Sequence, residues 1–189
     1  MKRAVLVHGW YGHPSDGWWP WLKLELEQLD YTVLMPQMPN ANYPLMNEWV
    51  SMLTTTVGKL DGETYFVGHS LGCMTIMRYL ESLGGSTAKA AGTVFVAGFT
   101  KDLHYVGYDG SLANFFDKPL DWSAVRTHCA KFWSISSDDD PKVSSDNHYR
   151  LVKELGAYES WEHHKKHMAG DDGVYQLDSV LKAVKNLSE

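Results

Sequence analysis

The chain has 189 residues, 44 % of them apolar and 21 % charged, a globular balance with no low-complexity tract and no tail of like charge. Its formal net charge of −6, with 17 Lys and Arg scattered among 23 Asp and Glu, leaves no basic face for phosphates and argues against a nucleic-acid partner. No apolar run reaches membrane-spanning length, and Ala4-Val5-Leu6-Val7 stops at His8-Gly9, too short for the core of a secretion signal.

This length fits one domain over residues 1–189, enough to bury a core on both faces of a sheet but without room for a separate cap domain. Apolar, β-branched runs near residues 3–8, 31–35, 63–68, 92–97, 131–136 and 157–161 predict six strands. Helical patterns fall between them, so the predicted class is α/β: a doubly wound, mainly parallel six-stranded sheet with helices on both faces. Right-handed crossovers are expected to set consecutive strands side by side, with ligand-binding loops at the strands' carboxyl ends.

The first strand runs directly into His8-Gly9-Trp10-Tyr11-Gly12, whose glycines let the backbone approach a substrate. A helix follows over Trp18–Leu29, with apolar residues at 22, 26 and 29. After the second strand, Leu45–Leu60 predicts another helix through apolar positions 46, 49, 50, 53 and 57.

The third strand, with Thr64-Tyr65-Phe66-Val67, leads into Gly68-His69-Ser70-Leu71-Gly72. Glycines two before and two after a serine are what a sharp strand-to-helix turn requires, because that turn crowds its neighbours and holds the central residue in a strained conformation. Cys73, Ile76, Met77, Leu80 and Leu83 continue at helical spacing, so free N–H groups of the first turn would face Ser70. Ser70 is the candidate nucleophile. Leu71 N–H is the candidate first donor to an oxyanion; Trp10 N–H is the second, with Tyr11 as its neighbouring alternative. His8 and His69 read as support for their loops.

Residues 98–122 carry Phe99, Tyr105, Tyr108, Phe115, Phe116 and Trp122 without a clear periodicity. They read either as a lid or pocket wall, or as an irregular excursion with its own small helix. A serine hydroxyl needs a base, and the base needs a carboxylate to fix its tautomer, in the chain order serine, acid, histidine. The strand Phe132-Trp133-Ser134-Ile135 ends at Asp138-Asp139-Asp140-Pro141-Lys142-Val143. Asp140 is the expected acid, since Pro141 fixes the next turn and Val143 can pack back on the sheet. Asp138 and Asp139 read as solvated or helix-capping residues.

A helix is predicted over Ser145–Leu155, then the sixth strand and Trp161-Glu162-His163-His164-Lys165-Lys166-His167-Met168. His167 is the expected base and His164 the second candidate. His163 and His167, four apart, would make a metal pair only on a continuous helix, and no third ligand is evident, so neither metal nor cofactor is expected. Val174, Leu177, Val180, Leu181, Val184 and Leu187 stripe the last helix. Cys73 on a core-facing position and Cys129 just before a strand suit reduced thiols, and so a cytoplasmic location.

His8-Gly9, Trp18-Trp19-Pro20-Trp21-Leu22, Met38-Pro39-Asn40, Trp49, Gly68-His69-Ser70-Leu71-Gly72 and the Asp140 and His167 loops together resemble the small α/β-hydrolases of the YdeN and retinoblastoma-binding protein 9 type. The likeness runs nearly end to end. It implies an α/β-hydrolase domain with little or no lid, lacking the usual leading antiparallel strands, and a serine hydrolase acting on small ester-like compounds. It also implies Ser70 as nucleophile, Asp140 as acid and His167 as base. Two positions depart from the family pattern: Lys166 and Met168 flank His167 where glycine and an aromatic are common, and Ser144 stands where proline often follows the valine. The expected activity is cleavage of small carboxylic esters. Thioester cleavage or acyl transfer would use the same groups, and a protein-binding scaffold displaying Trp10, Tyr11, Trp18 and Trp19 is the competing class.

Overall fold

The computed structural model describes residues 1–103 and 109–189. Six strands, β1 (Arg3–Val7), β2 (Thr32–Leu34), β3 (Thr64–His69), β4 (Gly92–Val96), β5 (Phe132–Ser137) and β6 (Tyr158–Glu162), form one sheet in the order β2-β1-β3-β4-β5-β6. Every pairing is parallel. The expectation that consecutive strands lie side by side fails at one place, because β3 pairs with β1 rather than β2. The first crossover winds one way and all later ones the other, so the sheet has a switch point between the carboxyl ends of β1 and β3, where open α/β sheets bind ligands.

Alternate strand residues serve opposite layers, as the two-residue period of a strand demands. Val5, Val7, Phe66, Phe95 and Phe132 pack with α2 (Met46–Val57), α3 (Leu71–Ser82), α4 (Trp122–Thr127) and α5 (Ser145–Leu155), through Trp49, Leu53, Ile76, Leu80, Val125 and Leu151. On the other face Ala4, Leu6, Tyr65, Val67, Val94, Val96 and Ile135 meet α1 (Trp19–Gln28) and α6 (Asp178–Leu187), through Trp19, Leu22, Leu26, Val180, Ala183 and Val184. No described helix is long and apolar enough to cross a membrane.

Three local expectations are corrected. Leu29, placed on the buried stripe of α1, is 40 % exposed, because the helix ends at Gln28 and the chain turns at Asp30 with φ 61°. The last helix starts at Asp178, so Val174 and Leu177 are buried from the segment that precedes it. Trp18 and Trp19 are core residues, 1 % and 5 % exposed, with ring centroids 4.0 Å apart at a tilt of 38°, which removes them from any surface patch for a partner.

Of the described residues in the aromatic-rich stretch, Phe99 lines the cleft with Leu103 and Leu112, and the rest include a small helical turn packed on the core. Phe115 closes a single 3-10 turn, Ala113–Phe115, and is fully buried, and Phe99 and Phe116 pack 5.5 Å apart. Buried Arg78 of α3 anchors the turn by donating Nε and Nη2 hydrogen bonds to the Phe115 carbonyl. Asn114 secures the other side: its Oδ1 accepts from Met46 N–H at 2.6 Å and its Nδ2 donates to Pro44 O. Tyr105 and Tyr108 lie outside the described residues.

Candidate active site

Ser70 stands between β3 and α3 at φ 54° and ψ −120°, a conformation that costs a non-glycine residue on the order of 1–3 kcal/mol. The flanking glycines make it possible. A Cβ on Gly68 would lie 2.8 Å from Ile76 Cδ1, and one on Gly72 would lie 2.7 Å from the His8 carbonyl oxygen. Gly9, on the β1 loop, is constrained in the same way, since its Cβ would meet Ser70 Cβ at 2.9 Å. The hydroxyl therefore sits at the switch point, with the β1 loop pressed against it.

Ser70 Oγ lies 3.0 Å from His167 Nε2, and His167 Nδ1 lies 2.8 Å from Asp140 Oδ2. A carboxylate only accepts, so Nδ1 carries the proton and Nε2 is free to accept the Ser70 O–H. Both side chains are buried, His167 5 % and Asp140 4 % exposed, which strengthens the pair relative to one in water. Asp140 is itself held by its other oxygen, which accepts the N–H groups of Lys142 and Val143, and Val143 is buried as expected.

Leu71 opens α3, so its N–H has no acceptor within the helix. Tyr11 N–H donates to the Ala41 carbonyl at 2.9 Å, so that amide is already engaged within its own loop. His8 orders that loop: its Nδ1–H donates to Gly9 O and its Nε2 accepts from Met38 N–H. Burial pushes the His8 pKa down, in keeping with this neutral tautomer. The cleft at Ser70 measures about 610 Å³, and its lining includes His167, Trp10, Phe99, Leu103, Leu112 and Tyr175.

Asp138 and Asp139 are exposed, as expected of solvated loop residues, and they also hold the histidine loop. Asp138 accepts from His163 Nδ1 at 2.6 Å and from His164 N–H, while Asp139 accepts from Lys166 N–H at 2.8 Å and from the Ser137 hydroxyl. Their run of three acids could have suggested such pairing with the amides of a facing loop, but only the parallel neighbours β5 and β6 bring the two loops together. His163 and His167 share no helix, so the metal-pair geometry does not form. Asp138, Asp139 and His164 do bring ligand atoms within 4.8 Å of one another at the exposed rim, yet both carboxylates are occupied by the loop contacts just described.

A parallel sheet that switches direction at a strained serine, with buried imidazole and carboxylate beside it, defines an α/β hydrolase. The chain belongs to the serine hydrolase family, whose family model matches residues 4–186. It is 28 % identical to YdeN of Bacillus subtilis (strain 168) over 179 residues, 95 % of this chain and 92 % of that one. It is 29 % identical to the serine hydrolase RBBP9 of Rattus norvegicus over 188 residues, 97 % of this chain and 88 % of that one. The crystal structure of the B. subtilis ydeN gene product superposes with a TM-score of 0.92, covering 99 % of this chain and 98 % of the other.

Proposed function

We propose that this serine hydrolase cleaves small carboxylic esters through an acyl-enzyme on Ser70, with His167 as general base and acid and Asp140 as its orienting carboxylate. The observation that carries this reading is the buried chain of hydrogen bonds from Asp140 through His167 to Ser70, at 2.8 and 3.0 Å. Ser70 Oγ attacks the acyl carbonyl as its proton passes to His167 Nε2, and Asp140 stabilises the imidazolium. The N–H groups of Leu71 and Trp10 receive the oxyanion, each worth about 3 kcal/mol to the transition state. The ester C–O bond then breaks as His167 returns the proton to the leaving oxygen, and water releases the acid by the same route.

The apolar side chains of Trp10, Phe99, Leu103 and Leu112 line the cleft that holds Ser70, which supports an ester with a hydrocarbon acyl group. Both cysteines are buried thiols: burial pushes the Cys129 pKa up to about 11 and that of Cys73 higher still, so neither is primed for disulfide exchange.

Ser70→Ala is expected to abolish both turnover of a short-chain chromogenic ester and labelling by a fluorophosphonate, with the circular dichroism spectrum unchanged. Undiminished labelling overturns the reading. A panel of matched esters, thioesters and amides tests the substrate class through kcat/KM, and a preference for thioesters over esters would reassign it.

A further inference from the structure

His167 is carried by a loop whose backbone is not relaxed. His164, Lys166 and Met168 have φ of 56°, 48° and 56°, a left-handed conformation that costs each L-residue about 1–2 kcal/mol. Such a loop keeps its shape only if contacts outweigh that cost. On its outer half the contacts come from Asp138, Asp139 and Ser137, the last accepting from Lys165 N–H at 3.2 Å.

The inner half is held differently. His69 Nε2 lies 2.8 Å from the His167 carbonyl oxygen, which can only accept, so His69 is the Nε2–H tautomer and donates. Trp18 Nε1 donates to the next carbonyl, that of Met168, at 2.8 Å. The two donors also touch: the Trp18 ring meets the His69 ring edge-on at 6.1 Å, and His69 lies 4.9 Å from the His167 ring. Trp18 and His69 are 1 % and 8 % exposed, so water does not compete for these bonds. His69 adjoins the nucleophile in the chain, which means the turn that aims Ser70 also fixes the backbone of the histidine facing it.

We propose that His69 and Trp18 are positioning residues for the acyl-transfer reaction, setting the distance from His167 Nε2 to Ser70 Oγ by hydrogen bonds to two consecutive carbonyls of the histidine loop. This rests on the Ser70, His167 and Asp140 assignment above and adds to it the groups that hold the base in register. Burial also pulls the His69 pKa down to about 3, so its donor keeps the same form across the range in which His167 has to work.

The test uses side chains of matched length. In His69→Gln the amide N–H can replace the imidazole donor, whereas His69→Met fills a similar volume without one. With a short-chain ester, His69→Met is expected to lose kcat by about 100-fold, the scale of a misplacement near 1 Å, with KM nearly unchanged, and His69→Gln to recover most of that loss. Trp18→Phe, which keeps a ring in place and removes the donor, is the independent arm and should lower kcat without raising KM. Thermal melts establish that each variant is folded. Gln no better than Met, or wild-type kcat in a folded Trp18→Phe, overturns the proposal while leaving the nucleophile assignment intact. Full activity in Ser70→Ala would instead remove the assignment on which it rests.

Discussion

Three histidines crowd the loop after β6, and their surroundings separate them. His163 is exposed and paired with Asp138, whose hydrogen bond raises its pKa; His164 is exposed; His167 is buried with one nitrogen on a carboxylate and the other on a hydroxyl. Single alanine substitutions should therefore leave ester turnover within a few-fold at 163 and 164 and remove it at 167, which steady-state kinetics reads directly. The two flanking departures also find their reason here. Lys166 occupies a left-handed position suited to glycine and is held there by Asp139, while Met168 is fully buried against the α1–α6 layer. Lys166→Gly is expected to change stability by less than about 1 kcal/mol, because relief of strain and the greater entropy of the unfolded glycine nearly cancel, whereas Lys166→Val should destabilise. Chemical denaturation measures both.

At the scale of elements, the turn from β3 into α3 depends on space that only glycine leaves. Gly72→Ala would drive a methyl group into the Val7 carbonyl at the end of β1, and is expected to cost about 1–3 kcal/mol or more, seen as a lowered Tm. This turn was legible because its constraint is local: glycine, serine and glycine at fixed spacing, between a strand and a helical period, leave few other conformations. All six strands were legible for the same reason, their apolar runs being short and bounded by turn residues. What the chain does not declare locally is adjacency. Nothing in β2 or β3 says that β3 returns to β1, and nothing in the three acids says which loop they face. Six-residue α4 carries one buried residue, Val125, too few for a period to show. Trp18 read as surface for a related reason, since its partners, Met168 and His69, are distant in sequence.

For the molecule as a whole, one sheet serves both hydrophobic layers, and we expect residues 1–189 to unfold in a single calorimetric transition. The pH dependence of that transition follows from buried imidazoles. Burial lowers the pKa of His8, His69 and His148 below the ordinary value of 6.5, so each stays neutral in the fold and takes up a proton on unfolding. Their stabilisation is complete above about pH 6.5 and is lost as pH falls below it, with the His69 part fading towards about pH 3. Tm should accordingly decline from pH 6.5 to 4, and less steeply in His69→Gln, where one of those protons is no longer taken up. An equal slope in the two proteins would exclude His69 as a contributor.

The edge position of β6 bears on when the enzyme becomes competent during synthesis. Ser70, the proposed nucleophile, and its strained turn belong to the first half of the chain, while the His167 imidazole arrives only after the outermost strand has docked on β5. A ribosome-bound chain that has emerged through β5 would carry an inert alcohol, and hydrolysis would begin with the last strand to be added. Onset of covalent labelling in a series of arrested nascent chains would therefore time the closing step of assembly.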